Sequence, residues 1–269
     1  MSRSADCSIA VVIPSRLEAA EGDKLFVEQA VEAACTQSIP RGVQLSFFVG
    51  IDVDAQVPRS VENHLPRVTF VRSRGRSQAA AINVAAAAAA AQGHDFIALL
   101  EDDDRWEPNF LSWALAFLDT SDFVSSNQLE VDAEGRCIRV NDFPTPSGWI
   151  MASELWRTVG PFDESFRWHL DNDWLGRLAI SQANRVHLVE ATAPITIDSC
   201  AQVRPWIANV LVHGGPHSAV RRHLSSRPLI RRLVHRGSGM YSIATNPAAA
   251  MESQKEYEQL IARYGRIPW

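Results

Sequence analysis

The sequence predicts an α/β fold built on a mostly parallel, doubly wound sheet. Three observations carry that expectation. Short apolar runs alternate with longer helical patterns through the first half of the chain. Several of these runs end abruptly in polar or charged residues. A stretch of alanine, the strongest helix former, lies between two of them.

Taken in order, Ser8–Pro14 (SIAVVIP) is a buried strand closed by proline. Lys24–Gln37 is helical, with Phe26, Ala30, Ala33 and Ala34 on one face. Val43–Asp52 (VQLSFFVGID) and Arg67–Val71 are the next strands. Ser77–Gln92 is the alanine helix, stopped by Gly93. Asp95–Leu100 (DFIALL) is a fourth strand and Glu107–Leu118 a helix. Phe123–Val131 reads as one strand, Asp132–Gly135 as a turn and Asp142–Trp149 as a loop. Asp173–Gln182 and Glu252–Tyr264 read as helices.

The 269 residues suffice for one large domain, or for a domain with an appendix. A net charge of −5 is too mild to define a partner. Four cysteines, Cys7, Cys35, Cys137 and Cys200, lack metal-ligand spacing. Reduced thiols and a cytoplasmic location are expected. There is no signal-peptide pattern, and no apolar run reaches the roughly 18 residues of a membrane span. Neither a Walker loop nor a dinucleotide fingerprint occurs. An acidic chain without a nucleic-acid motif argues against nucleic-acid binding.

In doubly wound sheets, ligands bind beyond the carboxyl ends of the strands. Pro14-Ser15-Arg16, Asp52-Val53-Asp54, Arg72–Arg76 and Glu101–Asp104 should therefore converge on one crevice. Glu101-Asp102-Asp103-Asp104 is the strongest signal. Four adjacent carboxylates at the edge of a core repel one another, and bound Mg²⁺ or Mn²⁺ would relieve the repulsion. The plainer alternative is a solvated turn capping the helix near Glu107. The basic turn Arg72–Ser77 at a helix N-terminus suits an anion, with Arg74 or Arg76 in contact.

The segment DFIALLEDDDRWEPNFL resembles the metal-binding stretch of family 2 glycosyltransferases of the GT-A fold: apolar strand, acidic tetrad, aromatic Trp106, Pro108, helix. IAVVIPSR resembles the family's opening strand, and VGPFDESFRWHLDNDWLGRL its acceptor-side motif. The resemblance covers roughly residues 8–180. It implies a nucleotide-diphospho-sugar donor and a divalent metal held mainly by Asp103. Asp102 would lie against the ribose or the metal's water shell. Pro14, Ser15 and Arg16 would touch the nucleotide, Asp52 the base, and Arg76 the base or phosphates. Asn83 matches a frequent family asparagine. Glu101 stands where Asp is usual, so no direct role is assigned to it. The resemblance places the catalytic base at Asp171, with Asp173 as the alternative. It further implies inversion at the anomeric carbon. Trp149 and Met151 are candidates either for stacking on an acceptor sugar or for the core.

From Ser199 to Met251 there is no acidic residue, but seven arginines and four histidines. Within it, His213 or His217 is a candidate extra metal ligand by the same resemblance. The arginines suit a diphosphate, an anionic acceptor, peripheral contact with a membrane surface, or a homo-oligomer interface. The expected organisation is a GT-A domain over 1–200 and a mainly helical extension over 201–269. The acceptor would be a glycan, a lipid-linked group or a small molecule. Two rivals differ in class: a sugar nucleotidyltransferase, and a non-catalytic nucleotide-sugar or glycan-binding protein of the same fold. The first would need a Gly-rich basic loop after the opening strand, where Ser15–Asp23 carries one glycine and three acids.

Overall fold

The computed structural model describes residues 6–20, 24–59, 61, 65, 67–190, 212–215, 218–225 and 228–268, with backbone alone at 190, 212–215 and 218–225. Among the described residues thirteen strands run in chain order. They are β1 (Cys7–Ser15), β2 (Val43–Ile51), β3 (Val68–Arg72), β4 (Phe96–Leu99), β5 (Arg105–Trp106), β6 (Phe123–Ser126) and β7 (Gln128–Val131). Then follow β8 (Cys137–Asn141), β9 (Trp149–Ala152), β10 (Arg185–Glu190), β11 (Val212–Gly215), β12 (Ser218–Ser225) and β13 (Ile230–Leu233). The helices are α1 (Phe26–Cys35), α2 (Gln78–Ala91), α3 (Phe110–Leu118), α4 (Ser153–Val159), α5 (Leu170–Ile180), α6 (Gly239–Thr245) and α7 (Pro247–Tyr264).

A nine-stranded sheet has the order β11-β12-β10-β6-β9-β4-β1-β2-β3, and a smaller four-stranded sheet the order β5-β13-β7-β8. The expected parallel core is present: β1 pairs in parallel with both β2 and β4, and β2 with β3. Strand β9 is antiparallel to β4 and β6 and interrupts the winding.

The period of two in β1 divides the core. Ile9, Val11 and Ile13 face one layer with Val27, Phe110 and Phe117. Ala10 and Val12 face the other, with Ile82, Trp156 and Trp174. Alanine in α2 lets that helix lie close to the sheet. A Cβ on Gly50 of β2 would stand 2.0 Å from the Ala81 carbonyl oxygen, so only glycine fits there. Ser77 caps α2, accepting from the Ala80 amide at 3.1 Å.

Three expectations are refined, and one open alternative, Trp149 and Met151 as core or as a stacking surface, resolves to the core. Phe123–Val131 is not one strand: the chain breaks at Asn127, whose amide donates to Leu188 O (2.9 Å), and β6 and β7 join different sheets. Trp149 and Met151 are fully buried on β9 and belong to the core, where an acceptor cannot reach them. The extension is helical from Gly239 to Tyr264, but before that it contributes strands β11–β13 to both sheets. Helix α5 starts at Leu170, so Asp171 and Asp173 both lie in its first turn and His169 is the capping residue. No described helix is long and apolar enough to cross a membrane. Cys7, Cys35 and Cys137 are free thiols, and Cys200 lies outside the described residues.

Candidate active site

A cavity of about 510 Å³ opens beyond the carboxyl ends of β1, β2 and β4, within the usual size range for small-molecule sites. Pro14, Ser15, Arg16, Asp52, Arg76, Asp102, Asp103 and Asp171 all line it. Pro14 and Ser15 close β1, and Ser15 Oγ donates to Asp102 Oδ2 at 2.5 Å while accepting from the Leu17 amide at 2.9 Å. Asp52 directly follows the last residue of β2. Arg76 pairs with Asp54.

The acidic cluster is crowded. Burial, then the charge of Asp103, pushes Glu101 up to about 7, and the same two causes push Asp102 up to about 7. Asp104 is also raised, by burial and by Asp103 and Glu101. Asp104 serves the scaffold. Its Oδ2 accepts from Ser147 Oγ (2.5 Å) and its Oδ1 from the Leu233 amide (3.1 Å), which fastens β13 beside the cluster. Glu101, Asp103 and Asp104 each present an oxygen within 4.8 Å of the others. Such a set of hard oxygens fits Mg²⁺ or Mn²⁺. Glu101 lines the cavity and accepts from Gln78, so the residue given no role in the sequence stands beside the ligand space.

Of two further lining residues, Arg232 is expected from the sequence only as one of the arginines suited to a diphosphate, and His235 is not singled out. His235 Nε2 lies 2.9 Å from Asp103 Oδ2, and that hydrogen bond raises its pKa. Phe26 packs against its ring at 5.3 Å. Arg232, on β13, is largely enclosed. Burial alone would lower its pKa, but Glu101, Asp104 and Glu130 hold it above the usual value. Nothing local in HRGSG or IRRL marks these side chains. Strand pairing selects them, because β13 runs antiparallel to β5 and parallel to β7.

Across the cavity, Asp171 accepts from the Asn172 amide at 2.8 Å. Burial raises its pKa above the ordinary 3.8, and its charge in turn pushes on Glu101. The preceding loop is held from the C-terminal helix. Glu256 accepts from the backbone amides of Arg167, Trp168 and His169 at 2.8, 2.8 and 2.9 Å. Asp173 faces elsewhere, fully buried and bound by Arg177 Nε (3.0 Å), Arg263 Nη1 (2.5 Å) and Tyr264 Oη (2.8 Å).

The remaining expectations are not brought together. Asn83 does not line the cavity: its amide closes on Phe162, donating to the carbonyl (2.9 Å) and accepting from the amide (2.8 Å). Arg74 is exposed outside the lining. The backbone of His213 lies on edge strand β11, five places from β4, or about 24 Å at the usual strand spacing. The histidine beside Asp103 is therefore His235. His217 lies outside the described residues.

No protein-family model matches the chain, and no curated protein matches its sequence. Solved structures do match in fold. Staphylococcus aureus TarS 1–349 in complex with UDP superposes with a TM-score of 0.55 at 13% identity, over 96% of this chain and 70% of that one. The same protein in complex with UDP-GlcNAc gives 0.55 at 12% identity, over 96% and 71%. The mannosyltransferase PcManGT from Pyrobaculum calidifontis, in complex with GDP-Man and Mn²⁺, gives 0.56 at 15% identity, over 98% and 66%. The fold is thus the α/β GT-A fold.

Proposed function

We propose that this chain is a glycosyltransferase that moves a sugar from a nucleotide-diphospho-sugar to an acceptor hydroxyl, with a divalent metal and with inversion. One observation carries the reading. The strand-end acids and Asp171 line the same cavity although 68 residues separate Asp103 from Asp171 in the chain. The solved structures of this fold that hold UDP, UDP-GlcNAc and GDP-Man with Mn²⁺ support a nucleotide-sugar donor. Residues 1–200 would form the catalytic domain, and 201–269 would complete it by delivering Arg232 and His235.

Asp103 would be the principal metal ligand, with Glu101 and His235 beside it. The bound cation would supply neutralisation of the leaving diphosphate. Pro14, Ser15 and Arg16 would hold the nucleotide, with Asp52 at the base and Arg76 at the base or phosphates. Asp102, which accepts from Ser15 Oγ, would lie against the ribose or the metal's water shell. Asp171 takes the proton from the acceptor hydroxyl as that oxygen bonds to the anomeric carbon. The bond from that carbon to the diphosphate breaks, and the diphosphate leaves with the electron pair. Attack from the side of Asp171, opposite the diphosphate, inverts the centre.

Thermal-shift measurements with UDP, GDP, dTDP and CMP, each with and without Mn²⁺, test this reading. A metal-dependent shift with one nucleotide, lost in Asp103→Ala, is the expected result. No shift with any nucleotide would overturn it.

A further inference from the structure

In the half of the cavity beyond Asp171 the lining comes mainly from α5, its preceding loop and the two C-terminal helices, and it sets six large apolar side chains beside the polar Arg167, His169, Asn172 and Ser253. The six are Trp168, Leu170, Met240, Ile243, Tyr257 and Ile267. Met240 and Tyr257 remain 50% and 42% exposed, too open for core residues. They are not scattered cases. Of nine exposed large hydrophobics among the described residues, five lie on α6 and α7: Met240, Tyr241, Met251, Tyr257 and Ile261. Two of these, Met240 and Tyr257, line the cavity itself, and large apolar side chains left exposed at a cleft mark a binding surface.

The polar side chains in this half are engaged with one another. His169 lies 3.1 Å from Asn172 Oδ1 and 2.9 Å from Ser253 Oγ, and Asn172 donates to Pro268 O at 3.0 Å. A glycan acceptor would need such groups turned towards it. Flat stacking on Trp168 is also restricted, because Arg167 lies over the ring at 4.7 Å. Four of the six wall residues are aliphatic, which favours a flexible chain over a flat ring.

Resting on the transferase reading above, we infer that the acceptor is an amphiphile. Its hydroxyl lies at Asp171, and an aliphatic chain lies along Leu170, Met240, Ile243 and Tyr257. The observations favour this over an unsubstituted glycan, which would leave the apolar wall facing water.

The test is a fluorescence titration of the full chain, loaded with Mn²⁺ and nucleotide. The probes are n-octyl β-D-glucoside below its micellar concentration, phenyl β-D-glucoside and glucose. The octyl glucoside is expected to bind at least about tenfold more tightly than glucose, equivalent to about 1.4 kcal/mol. Met240→Asp and Tyr257→Ser should each remove most of that preference. Both positions are exposed, so folding should survive, and a thermal melt checks it. Equal binding of octyl glucoside and glucose, tighter binding of the phenyl glucoside, or no saturable binding of any probe would overturn the inference. Nucleotide binding measured on the same sample separates the two readings. A metal-dependent nucleotide shift without octyl preference rejects only the amphiphile. Octyl preference without any nucleotide shift rejects the transferase.

Discussion

Arg263 Nη1 meets Asp173 Oδ1 at 2.5 Å, a fully buried carboxylate held by a guanidinium whose side chain is half-exposed. That contact separates two aspartates that look interchangeable in LDNDW. Asp173 ties α5 to α7, while Asp171, two residues earlier, faces the cavity. Disrupting the hydrogen bonds of a buried carboxylate costs about 1–3 kcal/mol, and the half-exposed arginine stays solvated. Asp173→Asn should therefore lower Tm by roughly 2–12 °C, using about 2–4 °C per kcal/mol for a chain of this size. Asp171→Asn should melt near the parent and still bind donor, yet lose transfer. Melting curves and a transfer assay on the two variants check the division. Unchanged transfer in Asp171→Asn would remove it as the base.

The raised pKa of Asp171 sets a pH dependence. As the proposed base Asp171 would work ionised, and burial holds its folded value above 3.8. Transfer should fall as pH drops, with a midpoint above that of an exposed aspartate. A profile of kcat against pH at saturating donor measures it. An acid limb at or below the ordinary aspartate value would contradict burial as the cause.

Glu130 makes the opposite prediction for stability. Burial would raise its pKa, but hydrogen bonds from Arg139 and Asn141 and the charge of Arg232 outweigh that and hold it below 4.5. A carboxyl depressed in the folded state stabilises above its unfolded pKa, and the contribution fades as pH falls through the folded value. Glu130→Gln should melt lower than the parent at pH 7, and the gap should close in acid. Paired melts from about pH 7 down to about pH 3 test the sign.

In the proposed reaction Glu256 would act as a positioning residue. Its carboxylate receives three backbone amides just ahead of Asp171, and hydrogen bonds to a charged group contribute about 1.5–3 kcal/mol. Glu256→Gln turns one acceptor oxygen into a donor that faces those amides. Donor KM should hold while kcat falls about tenfold or more, and the acid limb of the pH profile should shift as Asp171 moves. A fall in Tm with kcat and the pH profile unchanged would show that it only supports the fold.

His235→Ala should weaken Mn²⁺ dependence specifically. The concentration of Mn²⁺ that gives half the nucleotide-dependent thermal shift should rise by roughly tenfold, with the metal-free melt little changed. Equal metal dependence in parent and variant would remove His235 from the site.

What could be read in the chain was the chemistry written locally. A buried strand followed at once by acids places Asp102 and Asp103 by strand geometry alone, and Pro14 and Asp52 follow the same rule. Asp171 came from a motif whose spacing survives in this chain. What could not be read depends on pairing at long range. Arg232 and His235 lie in a stretch whose basic composition suits a diphosphate or a surface contact without marking which side chains face the cleft; the pairing of β13 between β5 and β7 decides that. Asn83 shows the converse failure: the residue type matched, but its amide pins Phe162 rather than a ligand. Phe123–Val131 has unbroken strand character, and only the Asn127 amide bond to Leu188 O reveals the change of sheet.

The bond between Asp103 and His235 spans 132 residues. At about 5–20 residues per second of synthesis, the ribosome adds the histidine on the order of ten seconds after the acids. For that interval the nascent chain carries its acidic cluster without the imidazole or the Arg232 guanidinium. On the transferase reading proposed above, competence would arrive late in translation, and a polypeptide released before β13 would have the large sheet without the complete site.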